Sequence, residues 1–151
     1  MRSENATMAG TGHTDPHSQQ RDITMSSMHR TLQGDVLVHH LTRDERIIDR
    51  DLVARHGRSA RTLVKEGPLR LTILGIAAGG DLPAHRTDGP VSIQVVEGEV
   101  TFSAAGNEYP LITGDVLVFA ANVEHSARSR TGGVFLLTVV HEESAGSRLP
   151  S

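Results

Sequence analysis

From residue 60 onward the chain is divided into short strand-like runs by turn signals at a nearly even spacing. The runs are 61–65, 69–77, 91–96, 99–103, 108–111, 116–119, 125–130 and 134–140. Between them stand Glu66-Gly67-Pro68, Gly79-Gly80-Asp81, Asp88-Gly89-Pro90, Glu97-Gly98, Gly106-Asn107, Thr113-Gly114-Asp115 and Thr131-Gly132-Gly133. The spacing therefore predicts an antiparallel sandwich or barrel and excludes a βαβ fold. Within 69–77, Leu69, Leu71, Ile73 and Gly75 alternate with Arg70, Thr72, Leu74 and Ile76. One face is apolar throughout and the other becomes so toward the end. The far end of this strand is expected to be covered on both sides, by the N-terminal segment or by a second subunit.

The segment before the strands reads differently. Residues 1–31 contain no Leu, Val, Phe or Tyr, too little apolar surface to offset the entropy of ordering, and are expected to be a disordered tail. All four methionines (Met1, Met8, Met25 and Met28) fall there, which makes Met25 and Met28 candidate translation starts. Residues 32–59 form an N-terminal strand and helix segment: a short strand over 34–41, then an amphipathic helix over 46–56 carried by Ile48, Leu52 and Val53 and stopped by Gly57. The barrel is expected over 60–143, with a second disordered tail at 144–151.

Composition removes several function classes. With no cysteine there is no disulfide, thiolate metal site or Cys nucleophile. Fifteen Lys and Arg against 18 Asp and Glu give a net charge of -3, the wrong sign for nucleic acid or an anionic membrane. The longest apolar stretch, 73–80, is far short of the roughly 20 residues that a membrane span needs, so a cytoplasmic location is expected. No phosphate-binding glycine loop, no G-x-S-x-G elbow and no recommended pair of carboxylates occurs. The basic series Arg55, Arg58, Arg61 and Lys65 is read as solvated charge, and His39, His40 and His56 as surface or interface residues. His141 is read as part of an exposed end. Nine histidines remain as the place where chemistry could reside.

Two stretches resemble the paired motifs of the cupin superfamily. Gly79-Gly80-Asp81-Leu82-Pro83-Ala84-His85 is similar to the opening of the first motif, and Val95-Val96-Glu97-Gly98 to its close. Gly114 through Asn122-Val123-Glu124-His125 is similar to the second motif, without a gap between Gly114 and His125. The motifs and their flanking strands cover roughly 60–141. The resemblance implies an all-β fold, a cupin-type double-stranded β-helix or jelly-roll barrel, here with a short N-terminal helical segment, and a homodimer. It also implies a divalent transition metal (Fe, Mn, Ni or Zn) held by three His and one Glu. The sequence departs from that pattern: Thr87 takes the place of the second His, Val91 that of the Glu, and Ala120, Asn122 and Ser129 replace the Pro, Gly and Asn of the second motif. Only His85 and His125 remain as metal ligands.

A catalytic first-row metal normally takes three protein ligands and keeps an open position. Two imidazoles alone make a weak, unselective site. Asp88 could substitute if the turn at Gly89-Pro90 bends inward. Gln94 could offer an amide oxygen, but strict alternation points it away from the Val91 face unless a β-bulge reverses the register. The expected pocket is therefore His85, Thr87, Asp88, Gln94 and His125, with Val91, Val95, Phe102, Val116, Val118 and Phe119 as candidate apolar lining. Three functions stay open. One is a barrel that binds a small organic ligand and carries a degenerate histidine pocket. Another is a metal-dependent, dioxygenase-like enzyme acting on a small organic acid or phenol. The last is a structural or regulatory dimeric sensor.

Overall fold

The computed structural model of the protein describes residues 35–141; the tails expected at 1–31 and 144–151 lie outside them. Among the described residues there is one helix, α1 (Arg50–His56), followed by eight strands: β1 (Arg58–Glu66), β2 (Leu69–Ile76), β3 (Asp81–His85), β4 (Val91–Ala104), β5 (Asn107–Ile112), β6 (Val116–Phe119), β7 (His125–Arg128) and β8 (Gly133–Val140). All the pairings are antiparallel, in the order β1-β2-β8-β4-β7-β3, with β5 and β6 also paired to β4.

The helix is shorter than the span 46–56 predicted for it. Asp49 is extended, and its carboxylate accepts from the Asp51 and Leu52 N–H groups, so it acts as the N-cap and delays the start to Arg50. Gly57 ends the helix in the left-handed region, at φ 88°, and its N–H donates to the Val53 carbonyl. The strand expected over 34–41 is not formed by the described part of that span. Val36–Val38 joins no sheet, and Val36 and Val38 are 75% and 65% exposed. β-Branched residues alone do not make a strand, because their preference depends on packing against neighbours.

Two expected strands, 91–96 and 99–103, are a single strand. Glu97-Gly98 was expected to be a turn. Instead the register shifts between Val95 and Glu97, and Gly98 at φ 76° bends the strand without reversing it. A Cβ on Gly98 would collide with the Gly132 carbonyl, so only glycine fits there. The bulge moves the inward face from odd to even positions: Val91, Ile93 and Val95 are buried before it, and Val100, Phe102 and Ala104 after it. The first half of β4 pairs with β6 and β8, the second half with β5 and β7. β3 is a strand that the spacing did not reveal, because Pro83 lacks the N–H that a ladder uses. Pro83 is tolerated because β3 is an edge strand whose register is irregular between Leu82 and His85.

The curled sheet has an apolar layer on each side. Inside, Phe102 and Phe135 meet edge to face at 5.2 Å among Ile76, Val91, Ile93, Val95, Val100 and Val139. Each such side chain contributes about 1.5–3 kcal/mol by leaving water. Outside, Ile47 and Ile48 pack on Leu63, Val64, Ile73 and Val134. A Cβ on Gly75 would stand 2.9 Å from Val53 Cγ2 and 3.2 Å from Ile48 Cγ1. The far end of β2 is thus covered on both sides, and the N-terminal segment supplies the outer cover. No helix among the described residues is long and apolar enough to cross a membrane.

Candidate functional site

His85 ends β3 and His125 begins β7, and the two are Cα partners across the β3–β7 ladder. The glycines that lead to them have local reasons. Gly79 and Gly114 sit at φ 80° and 96°, where a side chain would be strained. Gly79 N–H donates to Ser129 O, and Gly114 N–H to Val95 O. Asp115 holds its turn by accepting from the Ile112 N–H at 2.9 Å.

The two imidazoles meet edge on, with ring centroids 4.2 Å apart and planes at 63°. His85 Nδ1 lies 3.2 Å from Pro83 O and His125 Nδ1 lies 2.9 Å from Val123 O. A carbonyl oxygen can only accept, so each Nδ1 carries a proton and each Nε2 of the neutral ring presents its lone pair. Those two Nε2 atoms are 3.1 Å apart. Two lone pairs at that separation repel unless a proton, a ligand's donor group or another cation lies between them. The pair is asymmetric. His85 is exposed, whereas His125 is 3% exposed, with the Phe119 ring 4.5 Å from its own. Burial pulls the His125 pKa below its ordinary value, the Val123 carbonyl opposes that, and the neighbouring His85 adds to it.

The structure brings His85 and His125 together and directs Thr87, Asp88 and Gln94 elsewhere. Thr87 donates its hydroxyl to Gly89 O at 3.1 Å, and its carbonyl accepts from Asn122 N–H, tying the loop after β3 to the loop after β6. Asp88 Oδ1 lies 2.6 Å from His141 Nδ1, which holds the carboxylate at the end of β8. His141 is therefore anchored and not a free end; its N–H also donates to Pro68 O. Gln94 is exposed on the outward side of β4, because the bulge that could have turned it inward comes after Val95. Val91, Val95 and Phe102 line the interior, but Val116 and Val118 face outward at 54% and 65% exposure. The basic series also separates, since Arg58, Arg61 and Lys65 lie on β1 beyond the end of the helix.

Sequence reading overlooked the Pro83 and Val123 carbonyls, each two residues before its histidine. Backbone groups leave no residue-type signal. It also overlooked Arg86, which donates to Asn122 O at 2.7 Å and approaches Glu124 at 3.8 Å, a second tie between the same two loops.

The donor set can be tested against the metal that the resemblance implies. Among the described residues no three His, Cys, Asp or Glu side chains converge. The position expected for the Glu ligand is Val91, buried and laddered to Phe119. Two imidazoles with fixed tautomers are half of a ligand set, and the residues present do not fit a centre of three His and one Glu.

Comparison with known proteins agrees with this architecture. A family model described as a Cupin domain matches residues 72–141. The chain is similar to an RmlC-like cupin protein from Desulfovibrio desulfuricans at 25% identity and a TM-score of 0.60, over 70% of this chain and 97% of that one. An RmlC-like cupin from Shewanella frigidimarina shares the fold at 19% identity and a TM-score of 0.55, over 78% of this chain and 95% of that one. So does a predicted oxalate decarboxylase from Thermotoga maritima, at 20% identity and 0.52, over 56% and 81%. No curated protein matches the chain. The motif glycines and histidines, the curled antiparallel sheet and the family match together identify a small jelly-roll domain of the cupin type over residues 72–141.

Proposed function

We propose that this cupin binds a small organic molecule at the His85–His125 end of its barrel, without a resident metal. The observation that carries this reading is the 3.1 Å approach of two Nε2 lone pairs whose tautomers are fixed by carbonyls. A ligand O–H or N–H donating to the exposed His85 Nε2 relieves the lone-pair conflict, and Phe119 offers an apolar wall beside it. The test is a thermal-shift and calorimetric screen of small carboxylic acids and phenols with EDTA present. Binding that survives the chelator and disappears in the His85→Ala, His125→Ala double variant supports the proposal. Binding that needs added metal overturns it.

The metal-dependent alternative rests on the same pair of nitrogens and makes a different prediction. Protein purified without a nickel column would carry about one Fe, Mn, Ni or Zn per chain and lose it in the double variant. With only two imidazole ligands we expect well under one metal per chain by plasma mass spectrometry. Pairing of two copies belongs to the same proposal: Val116 and Val118 on the open outer side of β6 are the apolar residues that a homodimer would cover.

A further inference from the structure

A hollow of about 490 Å³ lies on the outer side of the sheet and shares no residue with the histidine pair. It is bounded by α1, by the bulge of β4 and by the turn into β8. Gly75, Gly98, Gly132 and Gly133 contribute to its floor. The glycines are required by close packing: a Cβ on Gly133 would lie 2.6 Å from the Glu99 carbonyl oxygen, and one on Gly75 would press on Val53. Ile48, Val53, Ala54 and Val134 add apolar walls.

The polar groups around this hollow are already engaged. Arg50 grips Glu97 through a two-point fork, with Nη1 to Oε2 at 3.0 Å and Nη2 to Oε1 at 2.8 Å. The Thr131 N–H and hydroxyl both donate to Glu99. Neither a carboxylate nor an ammonium would find an unspent partner of opposite charge there. A guanidinium held in place beside an apolar wall does favour the face of an aromatic ring. The volume falls within the range of about 300–1,000 Å³ typical of small-molecule sites. From these features we propose that the hollow between α1 and the glycine strip is a second binding site, for an uncharged aromatic small molecule.

The test uses the full chain and the uncharged fluorophore N-phenyl-1-naphthylamine. A saturable rise in emission is expected. Ala54→Trp, which puts an indole into the hollow, should weaken binding at least tenfold while circular dichroism stays unchanged. Arg50→Met, which keeps the stem and removes the cation, should weaken it about two- to fivefold. The His85→Ala, His125→Ala variant should bind the probe normally, which separates this site from the barrel site. No saturable signal, or an equal signal in Ala54→Trp, overturns the proposal. Amide shifts locate the probe independently of any variant. Movement confined to Gly75, Gly98, Gly132 and Gly133 supports the site, and movement centred on β6 overturns it.

Discussion

Two polar clusters organise loops in this barrel, one around Glu99 and one around the histidine pair, and they differ in where their remaining atoms point. The Glu99 carboxylate accepts from the Ser129 hydroxyl at 3.2 Å, the Arg130 N–H at 2.7 Å, and the Thr131 N–H and hydroxyl at 2.7 and 3.0 Å. Ser129 also closes the turn, donating to Glu99 O and accepting from Gly132 N–H. All four bonds fall on Oε2 and come from residues 129–131, so this oxygen serves the turn. At the other cluster the Nδ1 atoms are satisfied and the two Nε2 atoms face each other. Partners drawn from a single turn fit a structural role for Glu99, and the facing Nε2 atoms are where we propose that a ligand binds.

The largest effect that would break this contrast is on stability. Glu99→Ala strips the turn of its acceptor and should cost about 2–3 kcal/mol, measured by urea denaturation. A loss no greater than that of a surface substitution would mean the turn holds itself. His85→Ala should do the opposite, removing ligand binding by tenfold or more with under about 1 kcal/mol lost in the same titration, because His85 is exposed.

Acid separates the clusters further. The backbone N–H of Thr131 is the main cause that lowers the Glu99 pKa from 4.5, with burial opposing it. The folded state therefore binds that proton less readily than the unfolded chain does. The stability that Glu99 contributes is present above 4.5 and lost as pH falls through its folded pKa. His125 is lowered from 6.5, chiefly by burial. Its contribution is complete above 6.5 and is lost as pH falls below that value, where the unfolded chain takes the proton first. Melting temperature against pH should thus fall in two windows. His125→Gln should remove the one nearer neutrality, and Glu99→Gln should shrink the more acidic one, to which Glu97 and Glu108 also contribute. A single window erased by either variant would contradict the assignment.

The smallest expected effect is at Arg50–Glu97. Both partners are more than half exposed, so Arg50→Ala should cost at most about 1 kcal/mol. A larger loss would show that the ion pair, and not Ile48 and Val53, holds α1 to the sheet.

Much of the fold was legible because strand and turn chemistry are local. The runs at 69–77, 116–119 and 134–140 fall on β2, β6 and β8, and Gly57 ends the helix as its position implied. What was misread depends on contacts between distant residues. Whether Glu97-Gly98 turns or only bends is decided by the Gly132 carbonyl beside it. At the site, motif spacing was enough to single out His85 and His125. Thr87 and Asp88 were beyond reach, since Asn122 and His141, which engage them, lie far along the chain.

The position of β8 has a consequence for synthesis. The last of the described strands to leave the ribosome, β8, sits between β2 and β4 in the finished sheet. Until residues 133–140 emerge, β2 and β4 each present an open edge, and every earlier pairing is a partial structure awaiting its centre. Such a chain folds late through contacts of high sequence separation and is exposed to edge-to-edge association meanwhile. A truncation before Gly133 would therefore leave an aggregating chain, not a smaller barrel.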